Sequence, residues 1–313
     1  MKRYEFVKAP QRSPEWFELR KDAITATDVA VIMGLSPYKT PFRLFAEKTG
    51  RVGEQPAGEA ADRGRILEDA VATYYEEERG VKLRKSNGVV RLKEHPWAMA
   101  SLDRTVVGNP SAIVEIKTST SRAWEIQPVP PLVIAQVQWQ MFVTGAAYCD
   151  VVALLGGLVF RIERVESDKQ YQTDLFHAAV EFRKLLASDT PPSMKGADAG
   201  TFEELTPQAS EAVAVADESL NRIAQRYAEC AYQIQLLEGE LDTHKIAIKE
   251  AIAEKESIVG KGWFASWKQN KPRRAVDWKR LAEEENISAD TINAYTSESL
   301  GSRVFRFKQE DAK

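Results

Sequence analysis

Two short segments decide the fold of this chain: residues 98–107 have the sequence AMASLDRTVV, and residues 112–117 have the sequence AIVEIK. Both contain β-branched residues and a Gly-Asn-Pro turn separates them, so they predict neighbouring strands. Side chains two apart in a strand share a face, so Glu115 and Lys117 point to one side and the isoleucine between them points to the opposite, buried side. With Asp103 on the preceding strand, the pattern predicts two carboxylates beside one ammonium group.

These three side chains suit the hydrolysis of a phosphodiester. Two carboxylates can hold Mg²⁺, which keeps several of its waters and still contacts a phosphate. A lysine beside the metal-bound water can orient that water and stabilise charge that develops on the phosphoryl oxygens. The spacing D-x₁₁-E-x-K also occurs on ordinary charged strands, so a solvated strand face with an ion pair is the alternative interpretation.

Two polar residues on predicted helices could support this site. Glu68 lies among apolar residues of a helix predicted at 61–79, where it could bind a metal-bound water. Gln136 lies in a helix predicted at 132–144, where it could hydrogen-bond the attacking water or position Lys117. A surface pair for Glu68 and a solvated helix face for Gln136 are the alternatives.

The order of the predicted elements is that of a compact α/β module. After short N-terminal helices come helix 61–79, three strands, helix 132–144, strands 148–155 and 158–165, and helix 168–188. We therefore predict a core at 1–189 and a Pro-, Ser-, Gly- and Asp-rich linker at 190–210. A separate C-terminal region follows at 211–313.

Composition excludes several classes of protein. The 313 residues are 43% hydrophobic and 28% charged, as in an ordinary globular protein. Two cysteines and three scattered histidines provide neither a disulfide framework nor a zinc site, so any metal must be held by oxygen. The apolar runs are too short for a membrane helix and the N-terminus has no signal-peptide pattern, so we expect a cytoplasmic protein with no membrane partner. A net charge of −3 means that nucleic acid would need a local basic surface.

Two features mark the region 211–313. Apolar residues recur at spacings of three and four from Leu220 to Ala251, which predicts a heptad helix that either folds back within the chain or forms an intermolecular coiled coil. Residues 261–280 include seven basic residues, one acidic residue and several interleaved aromatic residues. This predicts either a plain β-hairpin packed on the helix, or DNA contacts by Lys268, Lys271, Arg273 and Arg274. A final strand is predicted at 303–308.

Seven short motifs, in their family order, resemble the YqaJ-like viral recombinases, the phage lambda-type exonucleases of the PD-(D/E)xK nuclease superfamily. The motifs lie at 16–20 (WFELR), 24–29 (ITATDV), 34–38 (GLSPY), 64–68 (GRILE), 101–103 (SLD), 115–117 (EIK) and 135–138 (AQVQ). The resemblance covers about residues 13 to 187. It implies an α/β, PD-(D/E)xK restriction-endonuclease-like core with a mixed central sheet flanked by helices, here followed by a C-terminal helical and β appendage.

The same resemblance implies an activity. Such an enzyme digests one strand of linear double-stranded DNA from the 5′ end, leaves a 3′ overhang for recombination, and uses Mg²⁺ or Mn²⁺, with two ions in each site. The residue roles that it implies are metal ligation by Asp103, Glu115 and the Ile116 carbonyl, ligation through water by Glu68, action on the water by Lys117, and support by Gln136.

Family members also hold the 5′-phosphate of the DNA. The matching positions here are Arg20, Thr27, Ser101 and Arg122, and two guanidinium groups with two hydroxyls would suit a phosphate. Thr27 stands where the family has serine and keeps the hydroxyl. Leu102 stands where the family often has proline before the metal-binding aspartate.

The resemblance also implies partners and a setting. It implies a homotrimer around the DNA, a single-strand annealing protein as a partner, and a phage or prophage gene expressed in a bacterial host. Two other functions are the alternatives. The first is an endonuclease of the same superfamily, and the second is a non-catalytic scaffold that binds DNA ends.

Overall fold

The structure is a computed structural model that describes residues 3–10, 13–55, 58–208, 213–272 and 275–297. The chain forms two compact units, Met1–Thr206 and Pro207–Lys313. The predicted DNA contacts Arg273 and Arg274 and the strand predicted at 303–308 lie outside the described residues. No helix within the described ranges is long and apolar enough to span a membrane.

The first unit contains eight strands and eight α-helices among its described residues. The strands are β1 (Tyr4–Val7), β2 (Leu83–Lys85), β3 (Val89–Leu92), β4 (Met99–Ser101), β5 (Arg104–Val106), β6 (Asn109–Ser119), β7 (Tyr148–Leu155) and β8 (Val159–Glu166). The helices are α1 (Pro14–Lys21), α2 (Ala26–Ile32), α3 (Pro41–Lys48), α4 (Glu59–Arg79), α5 (Ala123–Ile126), α6 (Pro131–Thr144), α7 (Lys169–Ala187) and α8 (Ala199–Leu205). The long predicted helices at 61–79, 132–144 and 168–188 are confirmed.

The central sheet has five strands in the order β2-β5-β6-β7-β8. Strands β6 and β7 are parallel, and the other neighbours are antiparallel. Strands β1, β3 and β4 form a second, antiparallel sheet. The prediction of a mixed central sheet flanked by helices is confirmed.

The segment 98–107, predicted as one strand, is divided between the two sheets. Strand β4 ends at Ser101 and strand β5 begins at Arg104. Leu102 is buried in the core at this junction. The Asp103 carboxylate accepts a hydrogen bond from the backbone N–H of Ile116 on β6, with 2.8 Å between Oδ2 and N. The division therefore places Asp103 at the corner where the two sheets meet.

Strand β6 is covered on both faces. Val71 and Tyr75 of α4 belong to the same apolar cluster as Ile116, on one face. Trp139 of α6 belongs to the main core with Ile113, on the other face. Ile116 is buried away from Glu115 and Lys117, as the alternation of the sequence predicts.

A buried carboxylate ties β7 to β8 and α4. Asp150 on β7 accepts two hydrogen bonds from the Arg164 guanidinium, at 2.8 and 3.0 Å, and one from the Tyr75 hydroxyl at 2.6 Å. Although burial alone would raise the pKa of Asp150, these hydrogen bonds and the Arg164 charge hold that pKa below its ordinary value. The carboxylate therefore stabilises the fold in its ionised form.

Asp150→Asn is expected to lower the free energy of unfolding by about 1–3 kcal/mol at pH 7, because it removes charge-assisted hydrogen bonds. A depressed folded pKa gives stability that is present above the unfolded value of about 3.9 and is lost as the pH falls through the folded value. Denaturant unfolding of both proteins between pH 7 and pH 3 measures this. The difference between them should shrink below about pH 4, and a difference that stays constant to pH 3 contradicts the assignment.

The segment 190–210, predicted as a linker, contains helical structure at residues 196–205. A 3₁₀ turn at Gly196–Asp198 leads into α8, and Asp198 and Thr201 are buried. Asp198 accepts a hydrogen bond from the Thr40 hydroxyl, and Glu204 pairs with Arg43 of α3. The first unit therefore extends to Thr206, beyond the predicted core boundary at 189, because these polar contacts hold a segment whose composition resembles a linker.

The second unit begins with a long helix, α9 (Glu218–Ile252), followed by β9 (Ser257–Gly260), β10 (Trp263–Ser266), α10 (Trp278–Glu284) and α11 (Ala289–Ala294). Strands β9 and β10 form a hairpin. The predicted heptad seam lies on one continuous helix, and its residues Leu220, Ile234 and Leu241 are between 52% and 65% exposed within the described chain. The helix prediction for this segment is confirmed.

Candidate active site

A cavity of about 370 Å³ lies between α1, the start of α2, α4, β6 and α6. Nine residues predicted from the sequence line it: Arg20, Thr27, Glu68, Ser101, Asp103, Glu115, Ile116, Lys117 and Gln136. They come from six separate segments of the chain. The cavity is therefore the place where the motifs of the sequence converge.

Asp103 is held at the edge of this cavity by the hydrogen bond from Ile116 described above. Its environment disfavours negative charge. Burial and the nearby Glu115 carboxylate raise the pKa of Asp103 well above its ordinary value, and the Lys117 charge offsets only part of that rise. The site therefore brings together more negative charge than its own lysine neutralises.

Glu115 is 2% exposed, yet both of its oxygens have donors. Oε1 accepts from the Lys117 ammonium and from the Gln136 amide, and Oε2 accepts from the Gln140 amide at 2.8 Å. Gln136 also accepts a hydrogen bond from Lys117 Nζ at 2.9 Å. The prediction that Gln136 could position Lys117 matches this contact.

Lys117 stays charged in this environment. Burial by itself would lower the pKa of its ammonium, but the Glu115 and Asp103 carboxylates raise that pKa above the ordinary value. The ammonium is therefore a fixed hydrogen-bond donor and positive charge beside the two acids.

Gln140 was not predicted from the sequence. It is 1% exposed, and its amide donates to Glu115 Oε2 and also to the Ser101 carbonyl oxygen at 3.1 Å. Gln140 lies one helical turn after Gln136, so both side chains are on the same face of α6. That spacing was the signal that could have identified it.

Gln138, on a different face of α6, donates a hydrogen bond to the Glu166 carbonyl and accepts one from the backbone N–H of Asp168. It therefore supports the start of α7.

Gln140→Leu is expected to weaken binding of Mn²⁺ to the cavity or to lower turnover by about 10–100-fold, because loss of a group that orients a metal ligand typically has that effect. Manganese titration and digestion of linear duplex DNA measure the two quantities. Gln170→Leu is the matched control, since Gln170 is exposed on α7 and binds only Asp174 in the described contacts. Equal metal affinity and turnover in both variants, with equal thermal stability, would contradict this role.

Glu68 has a buried partner that the sequence did not reveal. The Arg104 guanidinium is 4% exposed and pairs with Glu68 and Asp69 on α4, and it also donates to the Asp103 carbonyl oxygen at 2.8 Å. Arg104 therefore connects the segment that carries Asp103 to the helix that carries Glu68. Basic residues are common in strands, so nothing in the sequence position of Arg104 indicated that it would contact the site.

The part of the cavity next to α1 and α2 contains the residues predicted to hold a 5′-phosphate. The Arg20 guanidinium lies over the Trp16 ring at 4.2 Å, and the Thr27 hydroxyl is 3.2 Å from that of Thr25. The first turn of α2 is fixed by reciprocal hydrogen bonds between Thr25 and Asp28. This packing presents Arg20 and Thr27 to the same cavity as the acidic residues.

Arg122 is the predicted phosphate ligand that the structure does not bring to the cavity. It is exposed at the start of the short helix α5 and does not line the site. The segment after β6 turns at Ser119 and Ser121, whose hydroxyls accept hydrogen bonds from the backbone at Ser121 and Ala123. This turn directs the chain into α5, so the placement of Arg122 differs from the one that the family resemblance implies.

The donor set of the cavity fits a hard divalent cation. Asp103 and Glu115 supply carboxylate oxygens, and a cation between them would relieve the repulsion that raises the pKa of Asp103. No group of three or more acidic, cysteine or histidine side chains in the described ranges is placed to hold a metal by itself. The Ile116 carbonyl and water would therefore complete the coordination.

Among the described residues, only the start of the basic and aromatic segment, Trp263–Ser266, belongs to the β9–β10 hairpin. The Lys268 ammonium pairs with Glu256 at 2.9 Å, Lys271 is exposed, and the Lys249 ammonium of α9 lies 5.0 Å from the centre of the Trp267 ring. The hairpin alternative therefore describes only the first residues of the segment. DNA contact by Lys268 and Lys271 stays a prediction.

This fold and this cavity define the class of the protein: an α/β chain with a mixed sheet and a cavity that contains two carboxylates and a lysine. The YqaJ-like viral recombinase domain matches residues 15–147. The protein YqaJ of Bacillus subtilis strain 168, itself uncharacterized, is 31% identical over 283 residues, which are 86% of this chain and 87% of YqaJ. The chain belongs to the YqaJ-like viral recombinase family.

The chain is also similar to two other proteins. The uncharacterized protein R354 of Acanthamoeba polyphaga mimivirus is 28% identical over 157 residues, which are 45% of this chain and 28% of R354. A crystal structure of LHK-Exo in complex with dAMP is 24% identical, with a TM-score of 0.50, over 57% of this chain and 94% of LHK-Exo. LHK-Exo is an alkaline exonuclease from Laribacter hongkongensis. The predicted fold class is confirmed by this likeness.

Proposed function

We propose that this chain is a metal-dependent nuclease that digests one strand of linear double-stranded DNA from its 5′ end. The observation that carries the proposal is the convergence of Asp103, Glu115 and Lys117 in one cavity that also contains Arg20 and Thr27. A nuclease role is supported by membership of a viral recombinase family and by a fold shared with LHK-Exo, which was crystallised with a nucleotide.

The residues of the cavity would have separate roles in metal binding and in hydrolysis. Asp103, Glu115 and the Ile116 carbonyl would hold Mg²⁺ or Mn²⁺, in one or two ions, with Glu68 acting through water. When bound, such an ion lowers the pKa of a coordinated water and neutralises phosphate charge. Lys117, held by Gln136, donates a hydrogen bond to the attacking water or to a phosphoryl oxygen.

The polarity of digestion would come from the Arg20 part of the cavity. A guanidinium group and the hydroxyls of Thr27 and Ser101 can bind the terminal phosphate by charge-assisted hydrogen bonds. Each cleavage leaves a new 5′-phosphate, which the same groups can bind next. Digestion would therefore proceed one nucleotide at a time from the 5′ end.

The activity test compares linear and closed circular duplex DNA in Mg²⁺, in Mn²⁺ and after addition of EDTA. We expect 5′-mononucleotide release from the linear DNA, none from the circle, and none once the metal is chelated. Cleavage of the circle would indicate the endonuclease alternative. End binding without product in either metal would indicate the scaffold alternative.

Assembly and partners are part of the proposal. We propose a homotrimer and cooperation with a single-strand annealing protein that coats the 3′ overhang, in the cytoplasm of a bacterial host. Light scattering of the full chain tests the trimer: three chain masses are expected, and one chain mass at working concentration would contradict it. Co-purification of a single-strand annealing protein with the full chain tests the second partner, and its absence from the purified chain would contradict it.

A further inference from the structure

A second cavity adjoins the candidate active site on the side away from α1 and α2. Its volume is about 540 Å³, within the usual range for ligand pockets. Ala60 of α4 and Thr118 of β6 line both cavities, whereas Arg20 and Thr27 line only the first. The two spaces therefore meet between α4 and β6, just beyond the catalytic lysine.

The chemistry of this second cavity differs from that of the first. Its lining contains no acidic residue, and Arg63 is the single charged residue among the described residues that line it. Arg63 pairs with Glu59 at 3.4 Å, but both side chains are exposed, at 64% and 93%. A pair exposed to this degree contributes little energy, so the guanidinium can exchange Glu59 for another anion.

Four consecutive hydroxyl residues, at positions 118–121, continue along one wall. Ser119 and Ser121 accept hydrogen bonds from backbone N–H groups, and an accepting hydroxyl keeps its own O–H to donate. Ser119 is two residues beyond Lys117 in β6, which is about 7 Å further along the strand. Neutral donors and one guanidinium suit a phosphodiester with a single charge.

An exposed aromatic ring completes the cavity. Tyr38 lines it and is 73% exposed, and its backbone N–H donates to the Ser36 hydroxyl at 3.2 Å, which fixes the turn before α3. Large aromatic rings that stay exposed beside a phosphate-binding surface are suited to stacking on a nucleic acid base. The ring therefore gives the second cavity a base-binding element that the first cavity does not need.

We propose that the second cavity holds the nucleotide on the 3′ side of the scissile phosphate. Its base stacks on the Tyr38 ring, and the phosphodiester on its 3′ side contacts Arg63 and the hydroxyls of Ser119 and Ser121. This inference rests on the proposed nuclease function, with the terminal phosphate at Arg20 and the scissile phosphate at Lys117. The scissile strand then passes from α1, across β6, to Tyr38.

Photocrosslinking tests which DNA strand lies at Tyr38 and which nucleotide of that strand contacts the ring. The full chain carrying Lys117→Ala keeps the DNA intact and is bound to a 5′-phosphorylated duplex with 5-iodouracil at the second nucleotide of the 5′ strand. A crosslink to the Tyr38 peptide is expected, and it should disappear in Tyr38→Ala and persist in Tyr38→Phe, because phenylalanine retains the stacking face. A crosslink to Tyr38 only from the end of the opposite strand, or no crosslink from either strand, overturns the inference.

Kinetics provide the second measurement. In the otherwise unchanged chain, Tyr38→Ala should raise KM for linear duplex by about 5- to 150-fold, the loss expected for one base–aromatic stack, with a smaller change in kcat. Tyr295→Ala is the control, since Tyr295 is 90% exposed in the second unit. An unchanged KM in an active Tyr38→Ala protein overturns this inference alone. Failure of the unmutated chain to digest DNA in either metal overturns the proposed function, and this inference with it.

Discussion

Lys117→Ala is expected to reduce the turnover of linear duplex DNA by about 10²–10⁴-fold, the usual contribution of a positioned proton-transfer or charge-stabilising group. The ammonium is the one group that contacts both Glu115 and Gln136, and no other lysine lines the cavity among the described residues. Gel-based digestion of 5′-phosphorylated linear DNA in saturating Mg²⁺ measures the loss. End binding should survive, because the substitution leaves Arg20 and Thr27 in place.

The control for this prediction is Lys82→Ala. The Lys82 side chain is 81% exposed, and its ion pair within the described residues is a long one of 3.8 Å with Glu76, so its loss should leave turnover unchanged. Asp103→Asn and Glu115→Gln should lower turnover about as much as Lys117→Ala does, since each substitution removes one charged side chain of the three that meet in the cavity. Turnover within a few-fold of wild type for Lys117→Ala would show that the chemistry occurs elsewhere.

Arg20→Ala is expected to abolish the preference for a 5′-phosphorylated end over a 5′-hydroxyl end. A hydrogen bond to a charged group contributes about 1.5–3 kcal/mol, which corresponds to about 10- to 150-fold in that preference. Initial rates on duplexes with the two kinds of end, measured for the variant and the wild type, give the ratio directly. The loss should appear in the rate on phosphorylated ends, with the rate on hydroxyl ends little changed.

Arg20 also packs on Trp16, so a structural effect must be separated from loss of phosphate binding. Arg20→Lys keeps the positive charge and should retain part of the preference, because lysine lacks the planar guanidinium that binds phosphate through two N–H groups. Arg226→Ala, in an exposed pair with Glu229 of the second unit, is the control. A preference that survives Arg20→Ala at full strength would remove Arg20 from the phosphate site.

The long elements of the first unit were predictable because their local signals agree with their tertiary environment. Helix α4 ends at Gly80, which has a φ of +62° that glycine adopts readily. Residues 151–155 of strand β7 are a continuous apolar run, as expected for a strand that is buried on both faces. By contrast, the folding of 190–205 was not predictable, because Asp198 and Glu204 are stabilised by residues about 160 positions earlier in the chain.

The candidate site was predictable to the extent that its residues belong to short motifs. Spacing in β6 placed Glu115 and Lys117 on one face, and one hydrogen bond from Ile116 brings Asp103 to them. Gln140 and Arg104 contact these residues from α6 and β5, and neither stands in a motif. The family resemblance did not predict the place of Arg122, because the turn after β6 determines where that side chain lies.

By itself, the sequence determined the long helices and strands of the core, the alternation of β6 and the membership of the YqaJ-like viral recombinase family. Periodicity and residue chemistry act over a few positions, so they can be recognised without a fold. Only the tertiary structure decided that two sheets meet at Asp103, that Arg104 joins that corner to α4, and that a second cavity with Tyr38 adjoins the first. These features depend on packing between segments that are far apart in the chain, and a local sequence pattern does not show which remote segments come into contact.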